Sequence, residues 1–264
     1  MTKLRLSYSR TSTFLYCRMA YKWCYLEGLT PKAKPMPLQI GDIVHQLFHL
    51  QFEGKITGED IQNLEEFVKK NYPQNDPLIN LQVALEAATL FSGYLSNPEY
   101  QQDPILQTSS EIHLELEMPN FILYGRIDGL CKTKDDRQWR LERKTTKMMD
   151  SYFLTGLKKS LQAGIYDYLA EKNEMGTTGT IYDILVKTKV PQYKRNLVPK
   201  NKKVMERAIQ TVEGVCRDIQ RGDFYPSSNC INYNRECDYS PLCNFDSSET
   251  REAFFQTIRA NERR

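Results

Sequence analysis

The chain has 264 residues, 40% of them hydrophobic and 26% charged, which suits one large globular domain or two small ones. Its 36 Lys and Arg against 33 Asp and Glu leave a net charge of +3, which neither demands nor excludes a nucleic-acid partner. No apolar run of transmembrane length stands out and MTKLRLSYSR lacks the apolar core of a signal peptide, so a cytoplasmic protein with no membrane partner is expected. The odd count of seven cysteines argues against a disulfide framework.

Residues 5–29 carry a helical pattern, with Ser9 or Thr11 as the cap and Phe14, Tyr16, Cys17, Tyr21 and Tyr25 as an aromatic face. Three prolines make residues 30–38 an extended connector. Residues 39–54 read as a helix started by Gly41-Asp42, with His45 and His49 one turn apart. Residues 58–73 and 78–98 give two further core helices, ended by Pro73 and Pro98. From Thr108 the hydrophobic period changes to two. Residues 108–118 form one strand, Tyr124 to Cys131 a second and Trp139 to Arg143 a third, an antiparallel meander with KTKDDR at a hairpin tip.

Side chains alternate along a strand, so Glu142 and Lys144 share a face and Asp128 joins them if the two strands are neighbours. Two carboxylates beside a lysine make a divalent-metal site; the plain alternative is a solvated strand edge. Residues 156–172 follow as one helix that presents Gln162 and Tyr166 on a common face. Residues 178–188 form a strand, and a basic stretch follows with Lys187, Lys189, Lys194 and Arg195. This stretch is either a solvated loop or a surface that tracks phosphates, with Tyr193 able to stack a base. Residues 201–220 and 247–262 close the chain as helices around an irregular stretch containing Cys230, Cys237 and Cys243. Cys131 and Cys216 read as core, while the three late cysteines point to metal ligation. The order of elements is that of an α/β layer fold with a mixed sheet flanked by helices.

Four motifs in order resemble the PD-(D/E)xK nuclease superfamily, in its RecB-like exonuclease branch, which includes the AddB nuclease domain and CRISPR-associated RecB-like nucleases. IGDIVHQLFH is similar to that branch's Gly-x-x-x-His element, GRIDG to its aspartate strand, LERKTT to its (D/E)xK-T strand and LQAGIY to its Gln-x-x-x-Tyr helix. The resemblance implies one restriction-endonuclease-like domain over 1–264, with a helical N-terminal region over 1–100, a catalytic core over 101–220 and a cysteine-bearing end over 221–264. It implies His45, Asp128, Glu142 and the Arg143 carbonyl as ligands of Mg²⁺ or Mn²⁺, and Lys144, Gln162 and Tyr166 as catalytic partners of the two carboxylates. It also implies a [4Fe–4S] cluster on Cys17, Cys230, Cys237 and Cys243 that joins the chain ends. Cys24 is the alternative to Cys17, and zinc is the alternative metal. The implied activity is metal-dependent DNA exonuclease action at ends or single strands, either alone or beside a helicase or other recombination or CRISPR-adaptation proteins. The rival is an inactive nucleic-acid-binding or recombination-accessory protein on the same fold.

Overall fold

A computed structural model describes residues 3–32, 34–73, 77–102, 104–228, 230–232 and 235–257. In chain order the elements are β1 (Leu4–Leu6), α1 (Tyr8–Tyr16), α2 (Arg18–Tyr21), a π-helical turn (Lys22–Leu26), β2 (Leu29–Pro31) and α3 (Met36–Phe52). Next come α4 (Gly58–Gln62), α5 (Leu64–Asn71), α6 (Pro77–Leu95), α7 (Pro98–Gln102), β3 (Leu106–Glu117), β4 (Phe121–Lys132) and β5 (Gln138–Thr146). The chain continues through α8 (Ser151–Lys159), α9 (Leu161–Lys172), β6 (Gly179–Val186), β7 (Gln192–Pro199) and α10 (Lys202–Arg221). It ends with β8 (Ile231–Asn232), β9 (Arg235–Glu236), α11 (Ser240–Asn244), α12 (Ser248–Phe254) and β10 (Phe255–Thr257).

Two compact units share the chain. One holds Met1–Lys34, Glu117–Tyr124 and Ala208–Arg264; the other holds Pro35–Leu116 and Gly125–Arg207. In the first, β1 pairs in parallel with Phe121–Leu123, and β10 pairs antiparallel with β2. An apolar cluster of Cys17, Ala20, Trp23, Leu29, Tyr239, Leu242 and Phe255 forms there, with Trp23, Tyr239 and Phe255 stacked in series.

The second unit is a mixed sheet flanked by helices. β5 lies between antiparallel β4 and parallel β6, β7 returns antiparallel to β6, and β3 pairs with β4. Parallel β5 and β6 need a crossover, and α8 and α9 supply it. On one side α3, α5 and α6 join Ile40, Val44, Leu47 and Phe48 to Val68, Ala84, Ala87, Leu90 and Phe91.

Several boundaries differ from those the sequence suggests, each for a local reason. The first helix is capped by Ser7, whose Oγ accepts Arg10 N–H at 3.3 Å, because the chain before it is a strand. Helix α3 starts five residues before Gly41, with Pro37 in its first turn, where a missing N–H costs nothing. The single helix expected over 156–172 is two. Extended Ser160 separates them and caps α9 by accepting Ala163 N–H at 3.0 Å. The last helix stops at Phe254 because Phe255–Thr257 pair with β2; the remainder of the expected helix, from residue 258, lies outside the described residues. Leu78–Leu95 of α6 also amends the expectation that no apolar run is of transmembrane length, since its mean hydropathy over 18 residues is 1.2. Its buried side, through Val83, Ala84, Ala87, Leu90 and Phe91, packs in the second unit's core.

Candidate active site

The β4–β5 ladder runs from Lys132↔Gln138 to Gly129↔Leu141 and then stops. One residue further, the side chain of Asp128 replaces backbone pairing: its Oδ2 accepts the Arg143 N–H at 2.7 Å. Asp128 and Glu142 would be the next register partners, so the two carboxylates stand at the fork where the strands part. The glycines of GRIDG make room on both sides. A Cβ on Gly129 would collide with the Ser109 carbonyl of β3, and one on Gly125 would stand 2.6 Å from Tyr166 Cε1 of α9. Nearby, Glu111 takes a left-handed φ of 49°, which a strand residue reaches only at some cost. Its carboxylate lies 3.3 Å from Arg126 Nη1.

Alternation along β5 places Glu142 and Lys144 on the α9 side. Lys144 Nζ stands 2.6 Å from Glu142 Oε1 and donates to Gln162 Oε1 at 2.7 Å, while Gln162 Nε2 donates to Glu142 Oε1 at 3.0 Å. Both ends of the Gln162 amide are thereby used, and its orientation follows from chemistry. Burial works against the Lys144 cation, but the Glu142 carboxylate outweighs it and holds the amine above its ordinary value. Burial and the Glu142 charge push the Tyr166 hydroxyl up, so it stays a proton donor. Helix α9 is tied to β5 by Arg140, 1% exposed, whose guanidinium reaches Asp167 Oδ1 at 2.8 Å and also donates to Thr180.

His45 comes from α3, with Nδ1 3.3 Å from Asp128 Oδ2. Gly41 lets this helix lie on the end of β5, since a Cβ there would stand 3.1 Å from Thr145 Oγ1. Burial disfavours the imidazolium, yet the Asp128 charge and hydrogen bond prevail and raise the His45 pKa. Asp128 is held well below the usual carboxylate range, with His45 and the Arg143 N–H overriding the cost of burial. His49 is engaged elsewhere, at 3.0 Å from Ser110 Oγ and 3.5 Å from Glu53, so the two histidines do not act together.

Among the described residues, no three His, Cys, Asp or Glu side chains stand in ion-holding geometry. The donor types at the fork nevertheless fit a divalent cation: two carboxylates, a neighbouring carbonyl and one imidazole, with Asp128 and His45 20% and 32% exposed.

In the first unit, Cys17 caps α2, its Sγ accepting Ala20 N–H at 3.5 Å, and the Cys237 N–H binds the Cys230 carbonyl at 2.7 Å. Burial first, then the charges of Cys17 and Cys230, raise the Cys237 thiol. Cys243 is raised by burial and by Cys17, Cys230 and Cys237. Cys17, Cys230, Cys237 and Cys243 all belong to this unit, with no three of them in ion-holding geometry among the described residues. Cys24 borders the same apolar cluster, while Cys131 and Cys216 are buried.

The basic stretch is corrected. Only residues 187–191 form a loop, between β6 and β7, while Gln192–Pro199 form β7. Arg195 is unavailable to phosphates: its side chain is 10% exposed and binds Asp183 at 2.7 and 3.0 Å. Lys187 is partly buried and donates to the Pro37 carbonyl at 3.1 Å, whereas Lys189 and Lys194 are exposed. Tyr193 packs on α6, its hydroxyl donating to the Thr89 carbonyl at 3.3 Å. Sequence patterning did not reveal the buried pairs Arg140–Asp167 and Asp183–Arg195. Charged residues inside strands were their available signal.

Residues 5–244 match the model of the PD-(D/E)XK nuclease superfamily, and the chain belongs to that superfamily. Among individual proteins, it is similar to the uncharacterized protein UU146 of Ureaplasma parvum serovar 3. The two are 26% identical over 151 residues, which span 57% of this chain and 62% of that protein. Its fold is similar to that of a Eubacterium rectale protein solved by crystallography under the name "Putative exonuclease". That match has a TM-score of 0.56 at 13% identity and covers 97% of this chain and 89% of the other.

Proposed function

We propose that this protein is a RecB-like, Mg²⁺- or Mn²⁺-dependent DNA exonuclease acting at ends or single strands. The observation that carries the reading is the fork at Asp128 and Glu142, with Lys144 and Gln162 locked onto Glu142 at 2.6 and 3.0 Å. Superfamily membership supports phosphodiester cleavage, and the exonuclease name of the Eubacterium rectale protein supports the mode. Asp128, Glu142, the Arg143 carbonyl and His45 would hold the cation. Such an ion, when bound, stabilises charge on a phosphoryl oxygen and makes a bound water more acidic.

The chain's own groups do the rest. Lys144, kept protonated by Glu142, supplies a fixed positive charge and hydrogen-bond donor beside the reacting phosphate. Gln162 holds Lys144 and Glu142 at a constant separation. Tyr166, kept protonated, offers a hydroxyl to the DNA backbone, and exposed Lys189 and Lys194 add charge attraction without sequence reading. DNA is the partner; a helicase or other recombination or CRISPR-adaptation proteins would supply the ends.

The intervals of six and five residues between Cys230, Cys237 and Cys243 favour a [4Fe–4S] centre, completed by Cys17, over zinc, because they exceed those of most structural zinc sites. Its role is a structural staple. End-labelled DNA incubated with Mg²⁺ or Mn²⁺ tests the enzymatic reading. Stepwise loss of the label from one end supports it, and undegraded DNA with either ion sinks it.

A further inference from the structure

Arg143 stands in the middle of the Glu-x-Lys segment, where the proposed chemistry uses only its backbone. Its side chain is nevertheless 5% exposed. Its Nη2 donates to Gln107 Oε1 at 2.8 Å, and its guanidinium carbon lies 4.0 Å from the centroid of the Phe48 ring. Its Nε is buried with no hydrogen-bond partner. Burying a guanidinium in this way costs free energy that an apolar residue of similar volume would not, so stability is a poor account of it.

The placement offers a better one. Phe48 follows His45 by three residues on α3, Gln107 lies on β3, and the Arg143 N–H holds Asp128 of β4. A single residue of β5 therefore touches the three elements that meet it at the fork. Across the sheet, Arg143 is the register partner of Asp183, and Asp183 is the register partner of Arg195. Arg195 and the Tyr94 hydroxyl take that carboxylate at 2.7 and 2.5 Å. One acid between two guanidiniums is claimed from one side, which leaves the other guanidinium directed at Gln107 and Phe48.

We propose that Arg143 is a positioning residue whose side chain locks α3 and β3 against β5, so that His45 and Asp128 face Glu142 and Lys144 at a fixed spacing. The proposal rests on the metal-centre reading above. Its test follows the melting midpoint of metal-free protein as Mn²⁺ is added, together with a crystal structure of each metal-free variant. Arg143→Met should need roughly ten-fold more Mn²⁺ for the half-maximal rise, as when other residues that orient metal ligands are lost. Its His45–Asp128 separation should open beyond 3.3 Å. Arg143→Lys keeps a cation over Phe48 but loses the Nη2 hydrogen bond to Gln107, so it should fall between. If Arg143→Met proves unfolded, Arg143→Lys gives the same two readouts. A variant that melts lower yet responds to Mn²⁺ at the wild-type concentration, with His45 and Asp128 unmoved, would overturn the proposal. If wild-type protein itself shows no response to Mn²⁺, the metal reading fails, and the His45–Asp128 spacing alone decides the positioning role.

Discussion

Arg140 and Asp167 show what a single pair contributes here. Both side chains are almost fully buried, and their 2.8 Å contact joins β5 to the helix that carries Gln162 and Tyr166. Removing one partner leaves a buried charge uncompensated, at a cost of about 3–5 kcal/mol. Asp167→Asn should therefore lower the free energy of unfolding by about that amount, measured in urea. A change under about 1 kcal/mol would mean that the pair is better solvated than its burial indicates. Cys131 gives a contrasting case, because burial pushes its thiol up to about 12. At pH 8 it should stay unalkylated in native protein and react once the protein is unfolded. At this scale Asp128, Glu142, Lys144, Gln162 and Tyr166 were legible as candidates, because strand alternation and the four-residue helical step govern which side chains can meet. Arg195 was not. A run of lysines around it reads as a loop, and its partner Asp183 sits in a strand that looks wholly apolar on either side.

Elements meet at this site through glycines. Gly125 leaves space for the Tyr166 ring, and a methyl group there would stand 2.6 Å from Cε1. Gly125→Ala should cost about 1–3 kcal/mol of stability through overpacking. Displacing the ring by about 1 Å should slow DNA digestion by about 10²-fold, if Tyr166 contacts the substrate. Wild-type digestion by a well-folded Gly125→Ala protein would remove Tyr166 from the site. The break at Ser160 was hidden from periodicity, since leucines on both sides keep a helical rhythm. What interrupts the helix is one serine that prefers to cap the next one. The early start of α3 was hidden for a different reason. A proline-rich stretch reads as extended chain, although its last proline suits the first turn of a helix.

For the molecule as a whole, Met1–Lys34 and Ala208–Arg264 share one compact unit, and Cys17, Cys230, Cys237 and Cys243 all lie in it. That association followed from no periodicity; the resemblance to RecB-like nucleases implied it, while a continuous run of elements read as a single domain. Anaerobically purified protein should be brown and hold about four irons per chain. Cys243→Ser should lose the colour and melt at a lower temperature. A colourless wild-type protein with one zinc would exclude the iron–sulfur centre while leaving the fork untouched, since Asp128, Glu142 and Lys144 belong to the other unit.

The proposed activity depends on that fork, and one assay addresses it directly. Wild-type protein, Glu142→Ala and Lys144→Ala are compared on DNA labelled at either end, with Mg²⁺ or Mn²⁺ present. The wild type should release label progressively, and both variants should fall below about one-hundredth of its rate while keeping their far-ultraviolet circular dichroism. Digestion at the wild-type rate by either folded variant would contradict the assignment of this strand fork as the catalytic centre.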